Sequence, residues 1–280
     1  MNWLPDVDKR VKEHFDNVSR MYYDLVLATP FLYGYYHRRE VDVLSRALQR
    51  FSLLTGQDPS KPPLVLDVGC ATGRVINRLG SAVKGAKFVG VDISKQMILL
   101  ARENSEDETD YIVADIRRLP LRDRAFDFVY SLEVLEHLEN KSDSVPRAIG
   151  EIVRVARLGG WVTIESTSTA HFLVQSFLLR LIRLHGSVFN DVATQKFEAD
   201  YTPVPIAGPS EIRFVAGSLN KAGAQVSGTF WIRVVPEQAF VFLKTATLRR
   251  FLGTIDEIAS RIPVLRRLGR EFIVTSTRES

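Results

Sequence analysis

The stretch from Leu64 to Leu79, LVLDVGCATGRVINRL, places an acid directly before a glycine turn. Asp67 lies in an apolar run, Gly69 and Gly73 follow, and the next residues have helical spacing. A helix N-terminus leaves backbone N–H groups unpaired, and a glycine turn lets a ligand come close to them. An acid at this point would repel a pyrophosphate, but it suits a ligand that carries an ammonium group.

The turn does not match the glycine motifs of other nucleotide sites. The dinucleotide fingerprint is G-x-G-x-x-G and the phosphate-binding loop is G-x-x-x-x-G-K-[ST]. The stretch GCATGR has Ala71 between its glycines, and Arg74 stands where the second motif requires Lys followed by Ser or Thr. A ligand with an amino-acid end and a nucleoside end fits this environment. We therefore expect S-adenosylmethionine as the cofactor.

Two further acids end the next two apolar runs. Asp92 closes FVGVD about twenty residues past the glycine turn, where a carboxylate can accept both hydroxyls of a ribose. Asp115 ends YIVADI, where it and Ile116 can meet the amine and the ring edge of adenine. Three carboxylates at the carboxyl ends of successive strands lie on the edge where open α/β sheets bind ligands.

The elements that position these acids alternate in type. Short apolar runs rich in Val, Ile and aromatic residues are separated by segments that each fit one helix: PLVLDVG, AKFVGVDI, DYIVADI, FDFVYSL and GGWVTIES. This alternation predicts a parallel sheet covered by helices on both faces, with right-handed crossovers. The first segment, about Asp8 to Leu54, is typical of helices, and the turn-rich TGQDPSKPP separates it from the sheet.

The regular alternation stops after Ser166. The pattern predicts an amphipathic helix in AHFLVQSFLLRLIRLHGSVFN and a helix from Glu211 to Asn220 with Ser210 as its N-cap. Closing strands are predicted for Ala224 to Val235 and Glu271 to Arg278, with a helical segment between them.

Four blocks in this order resemble the class I S-adenosylmethionine-dependent methyltransferases, of the group that contains the quinone-biosynthesis enzymes: LDVGCATG, VGVDIS, VADIRRLPLRDRAFDFVYSLEVLEHL and RVARLGGWVTI. The resemblance covers roughly Leu64 to Ser166. It implies an α/β, Rossmann-like, doubly wound and mostly parallel sheet of seven strands, the last one antiparallel. HFDNVSRMYYD near the N-terminus is similar to the opening helix of the quinone C-methyltransferases, although Tyr23 here intervenes between Tyr22 and Asp24.

These observations predict four regions. Residues 1–58 form an N-terminal helical cap, 59–166 the cofactor-binding core, 167–209 a cap insertion, and 210–280 complete the sheet with a helical insertion.

The resemblance also implies a set of cofactor contacts. The methionine part is expected near Asp67, Gly69, Cys70, Ala71 and Gly73, the ribose near Asp92 and Ile93, the adenine near Asp115 and Ile116, and the sulfonium near Ser131 and Glu133, with Met97 added to the set. Cys70 is interpreted as a small residue lining the loop, because no neighbour that would activate a nucleophilic thiol can be identified.

The run SLEVLEHLEN supplies the candidate catalytic residues. Glu133, Glu136 and His137 have the spacing of one helix face, and such a trio could hold a divalent cation. A similar Glu-x-x-Glu-His run binds metal in the RNA 2′-O-methyltransferases, which also need a histidine from a later segment. The later histidines here are His171 and His185, and neither lies in a matching motif, so we expect no metal. We expect Glu133 and His137 to be catalytic, with His137 as a general base whose pKa suits neutral pH. The alternative is that His137 only caps or packs the helix.

The predicted activity is methyl transfer to a small, hydrophobic acceptor such as a quinone precursor or a lipid-like metabolite. Tyr22, Tyr23, Tyr33 and Tyr36 are candidates for lining the acceptor pocket, and the alternative is that they pack the cap onto the sheet. Two other functions stay open: a metal-assisted RNA 2′-O-methyltransferase, and a non-catalytic protein that binds S-adenosylmethionine.

Composition narrows the partners. The chain has 280 residues and a net charge of +4, and its Lys and Arg are scattered with some clustering near the C-terminus, so a nucleic-acid partner is not expected. One cysteine excludes an internal disulfide, and the N-terminus lacks an apolar signal region, which together favour the cytoplasm. Amphipathic segments that contain arginines leave peripheral membrane contact open. The composition is compatible with a monomer or a homodimer.

Overall fold

The protein is described from a computed structural model, which covers residues 11–20, 32–54, 61–83, 85–105, 109–138, 140–167, 211–232, 246–262 and 271–279. The predicted acceptor residues Tyr22 and Tyr23, the predicted amphipathic helix at 170–190 and the N-cap Ser210 lie outside the described residues.

Seven strands form one sheet in the described part of the chain: β1 (Leu64–Val68), β2 (Lys87–Asp92), β3 (Asp110–Val113), β4 (Phe126–Ser131), β5 (Ala156–Thr167), β6 (Ala224–Ile232) and β7 (Glu271–Arg278). Their order is β3-β2-β1-β4-β5-β7-β6. Strands β1 to β5 pair in parallel, and β7 is antiparallel to both β5 and β6. The predicted doubly wound, mostly parallel sheet is therefore confirmed.

The described helices are α1 (11–20), α2 (Leu32–Leu54), α3 (Arg74–Ala82), α4 (Lys95–Glu103), α5 (Lys141–Val155), α6 (Glu211–Lys221) and α7 (Ala246–Arg261), with a 3₁₀ turn at Leu135–His137. No helix in these ranges is both long and apolar enough to span a bilayer.

Two apolar clusters cover the two faces of the sheet. Side chains alternate along a strand, so Leu66 and Val68 of β1 join the cluster that contains α5 and α6. Val65 joins the cluster that contains α2 and α3. Asp67 lies two positions after Val65, so its side chain points to the same face of the sheet, and its backbone pairs with that of Tyr130 on β4. The acid therefore lies on the face covered by α2 and α3.

The loop that follows β3 is held by Arg154 of α5. Its guanidinium donates hydrogen bonds to the carbonyl oxygens of Leu119 (2.9 Å) and Leu121 (2.8 Å) and to both carboxylate oxygens of Glu151. Glu151 in turn accepts the Leu119 N–H at 2.7 Å. The chain beyond Asp115 is thus tied to α5, and this fixes how the residues after β3 meet the edge of the sheet.

Candidate cofactor-binding site

Backbone amides of the glycine loop after β1 form hydrogen bonds within the protein. Gly69, Ala71 and Gly73 have φ of 87°, 46° and 73°, so the chain reverses through the left-handed region. The N–H groups of Gly69 and Cys70 both donate to the carbonyl oxygen of Val91, at 2.7 and 3.0 Å, and Gly73 donates to Cys70 at 2.9 Å. These donors are already bonded, so the loop differs from phosphate-binding loops, whose amides point at the ligand.

The two glycines also make room for protein side chains. A Cβ at position 69 would overlap the side chain of Val134, and a Cβ at position 73 would lie 2.5 Å from the Tyr111 hydroxyl. The sequence suggested close approach of a ligand as the reason for these glycines. The structure adds that the loop is packed against the segment after β4 on one side and against β3 on the other.

Asp92 joins the end of β2 to the glycine loop. One carboxylate oxygen accepts the Ala71 N–H and the other accepts the Ser94 N–H, both at 2.9 Å. Burial raises the pKa of Asp92 to about 6, although these backbone bonds oppose the rise. The two backbone hydrogen bonds hold the carboxylate in one orientation at the edge of the sheet.

Asp67 is the most constrained acid of the site. It is 3% exposed, and burial raises the pKa of its carboxyl to about 7, with a further rise from the charge of Asp92. Tyr130 and Arg74 lie close enough to lower that pKa in part. A buried carboxyl that titrates near neutrality is typical of a functional site.

Arg74 and Tyr130 were not among the predicted site residues. Arg74, the first residue of α3, lies 3.7 Å from the carboxylate of Glu40, which is 1% exposed on α2. This contact ties α2 to the helix that begins at the glycine loop. Tyr130 could have been found from the sequence, because β4 was predicted as a strand of the same sheet. Tyr130 directly precedes Ser131 at the end of this strand, so its side chain belongs to the other face of the sheet.

The other predicted cofactor residues lie near this edge. Asp115 is buried and bonds the backbone N–H (2.8 Å) and the guanidinium of Arg117. The Ser131 hydroxyl donates to the Val68 carbonyl at 2.9 Å, which links the ends of β4 and β1. Ile116 and Met97 are buried and Ile93 is half-buried. Tyr33 and Tyr36 belong to the first turns of α2, and their side chains lie outside the described part.

Cys70 is buried in the glycine loop. Burial raises the pKa of its thiol, and the charges of Asp67 and Asp92 raise it further. The thiol therefore stays protonated at neutral pH, which agrees with a lining role and disfavours a nucleophilic one.

The segment after β4 departs from the helix expected there. Glu133 has φ of 53°, and only Leu135–His137 form a 3₁₀ turn. The prediction that Glu133, Glu136 and His137 share the face of an α-helix is wrong, because Glu133 lies before the turn in a left-handed conformation. Within the described ranges, no group of three or more His, Cys, Asp or Glu side chains is placed to hold a metal ion.

His137 has a lower pKa than its residue type suggested. Burial lowers the pKa of its imidazole to about 4, and Lys141 and His14 lower it further against the opposing charge of Glu133. The expectation that its pKa suits neutral pH is therefore wrong: the ring is neutral and weakly basic across the physiological range. The ring of Phe15 packs against it edge-on, with centroids 5.1 Å apart.

Helix α1 crosses the carboxyl edge of the sheet. Asp16 accepts hydrogen bonds from the Ser94 hydroxyl at 2.6 Å and from the Gln96 N–H at 3.1 Å, while Phe15 contacts His137. The Ser94 oxygen also accepts the Met97 N–H at 3.1 Å and so caps α4. One short helix therefore joins the ends of β2 and β4.

Comparison with known proteins agrees with this geometry. Residues 66–164 match the family model described as a methyltransferase domain. This part of the chain is therefore similar to a methyltransferase domain. Malonyl-[acyl-carrier protein] O-methyltransferase of Pectobacterium atrosepticum is 38% identical over 96 residues, which cover 34% of this chain and 35% of that protein. Methyltransferase GfsG of Streptomyces halstedii is 33% identical over 144 residues, covering 47% of this chain and 49% of the relative.

The chain therefore matches less than half of the length of each of these two relatives. The fold similarity extends further along the chain. The crystal structure of magnesium protoporphyrin IX methyltransferase from Synechocystis with bound SAH has a TM-score of 0.59 at 16% identity, covering 97% of this chain and 100% of that one. At this identity the likeness shows the fold, and it does not single out the quinone-biosynthesis group.

The raised pKa of Asp67 predicts how stability depends on pH. Between its ordinary value of 3.8 and about 7 the unfolded chain releases a proton that the folded protein retains, so the free energy of unfolding falls as pH rises. Asp67→Asn should remove this fall and raise the free energy of unfolding near pH 8 by about 2–4 kcal/mol. Urea unfolding at several pH values measures the free energy of unfolding of both proteins. Asp110→Asn, at the exposed start of β3, is the control, and an unchanged slope in Asp67→Asn would contradict the account.

The contacts of Asp16 predict the stability of α1 on the sheet. Asp16→Ala removes two hydrogen bonds to the start of α4, so opening of α1 should become easier by about 1–2 kcal/mol. Hydrogen exchange of the α1 amides measures this opening. Asp143→Ala breaks an exposed ion pair with Arg147 and should change stability by no more than about 0.5 kcal/mol. Equal protection of α1 in both variants would show that Asp16 does not hold the helix.

Proposed function

We propose that this protein is an S-adenosylmethionine-dependent methyltransferase that acts on a small, hydrophobic acceptor such as a quinone precursor or a lipid-like metabolite. The observation that carries the proposal is Asp67, a buried carboxyl with a pKa of about 7 beside a loop in which the amides of Gly69, Cys70, Ala71 and Gly73 are already bonded. This environment disfavours a phosphate and favours a ligand with a positive charge.

The residues present fit the two ends of this cofactor. An ammonium group beside Asp67 would supply a positive charge that compensates the negative charge of the buried carboxylate. Each oxygen of Asp92 accepts one backbone N–H, and a carboxylate oxygen has two lone pairs. Both oxygens therefore retain a lone pair for the two hydroxyls of a ribose. The buried Ile116 supplies an apolar surface for adenine, and Asp115 can accept its amine beside Arg117.

When bound, the cofactor supplies an electrophilic methyl group, so the protein has mainly to align the acceptor and exclude water. Helix α1 lies across the edge where this occurs, and Phe15 holds the His137 ring. A neutral imidazole can accept a hydrogen bond from an acceptor hydroxyl and orient it. His137 is thus proposed to orient the acceptor, with Glu133 beside it, and a phenol or another acidic acceptor would need least help with deprotonation.

The names of similar proteins include an acyl group carried on a protein, a tRNA nucleoside and small metabolites, and the proposal follows the metabolites. The Pectobacterium relative is named for malonyl-[acyl-carrier protein], and a Rauvolfia serpentina relative that is 31% identical over 114 residues is named for norajmaline. The Synechocystis protein is named for magnesium protoporphyrin IX.

Cofactor binding is tested by thermal unfolding with S-adenosylmethionine, S-adenosylhomocysteine, NAD and ATP. A ligand at about a hundred times its dissociation constant adds about 2.7 kcal/mol of stability. We expect stabilisation by the first two compounds only, and its loss in Asp92→Ala, because that carboxylate is proposed to hold the ribose. Asp110→Ala, at the other end of the sheet, should respond like the wild type. A response to NAD alone would overturn the proposal.

Catalysis is tested separately by formation of S-adenosylhomocysteine with a panel of phenols, quinols, fatty acids and short RNAs. We expect turnover with at least one hydrophobic metabolite, without loss on addition of a chelator. His137→Gln should lower kcat by about tenfold or more if the ring orients the acceptor, since misplacement alone can cost about a hundredfold. Cofactor binding without turnover across the panel would favour a non-catalytic protein, and chelator-sensitive turnover of RNA would favour the RNA enzyme.

A further inference from the structure

Helix α7 has its apolar side exposed. Phe251, Ile255, Ile258 and Ile262 follow one another at spacings of four, three and four residues and are 62%, 38%, 54% and 41% exposed. We call these four residues the apolar stripe. Among the α7 residues whose side chains are described, Gly253, Asp256 and Ala259 are buried and lie on the other side of the helix. Four large apolar side chains exposed in a row on one helix face mark a surface for interaction.

The segment that carries the stripe is basic in sequence. Helix α7 carries arginines at positions 249, 250 and 261, and between Leu243 and Arg270 the chain has only two acids, Asp256 and Glu257. Asp256 is buried, and Glu257 pairs with Arg261 at 2.8 Å and lies 3.8 Å from Arg39 of α2. One acid of this segment is therefore buried, and the other forms an ion pair with Arg261, so the excess of basic residues comes from the rest of the segment.

We propose that α7 docks on an anionic lipid surface, with the apolar stripe inserted at the level of the head groups. Basic residues combined with a continuous apolar stripe are what such surfaces attract in helices that lie in the interface plane. A second copy of this chain fits less well, because a two-fold contact would bring two copies of the same basic segment together. The inference stands on α7 alone and does not depend on methyl transfer.

Vesicle co-sedimentation of the 280-residue chain tests the proposal. Phosphatidylcholine vesicles with added phosphatidylglycerol should bind the protein at least about tenfold more tightly than phosphatidylcholine alone. Binding should weaken at about 1 M NaCl, where the screening length falls to about 3 Å. The double variant F251S/I258S should lose about tenfold or more of its affinity for the anionic vesicles, because two apolar side chains no longer enter the lipid.

The matched control replaces Leu53 and Leu54, which are 84% and 67% exposed at the end of α2, in the variant L53S/L54S. This control should bind vesicles like the wild type. Both variants change exposed side chains, so their thermal unfolding midpoints should stay near that of the wild type, which separates a lost surface from a lost fold. Equal binding of F251S/I258S and L53S/L54S, or no binding to anionic vesicles, would overturn the proposal. So would a dimer in gel filtration that only F251S/I258S disperses.

Discussion

The structure of the site depends on one buried carboxyl. Asp67 ends up 3% exposed because β1 is an interior strand of the sheet and because α2 and α3 cover the face to which its side chain belongs. The surroundings compensate its charge only in part, through Tyr130 and Arg74. Retaining such a group lowers the stability of the free protein, and recognition of a cationic ligand is a function that would justify this loss.

The neighbouring elements are joined so that this carboxyl and its partners stay at one edge. Parallel pairing brings the ends of β1, β2 and β4 together, and Asp92 and Ser131 bond backbone groups of the adjacent segments. Val134 packs on Gly69, which brings the turn that carries His137 against the glycine loop. Helix α1 then bonds Ser94 and contacts His137. A displacement of any one of these segments would therefore move the others.

Helix α2 connects this edge with the surface proposed to meet lipid. Its neighbouring residues Arg39 and Glu40 face different partners: Arg39 lies 3.8 Å from Glu257 of α7, and Glu40 lies 3.7 Å from Arg74 at the glycine loop. A hydrophobic acceptor and a lipid-facing helix are compatible functions for one protein. The contacts of α2 therefore connect α7 with the helix that begins at the glycine loop.

The sequence by itself determined the alternation of strands and helices, the antiparallel last strand through its resemblance, the position of the glycine turn and the three acids at the carboxyl edge. These features rest on local propensity and on the geometry of parallel strands, which short stretches of chain encode. Only the tertiary structure decided the partners of those residues. Asp16 and Ser94 are 78 positions apart, and Glu40 of α2 forms an ion pair with Arg74 of α3. It also decided that His137 lies in a 3₁₀ turn with its pKa lowered, and that α7 turns its apolar side outward. The physical reason is that desolvation and exposure depend on everything packed around a group, and residues distant in the chain supply most of that packing.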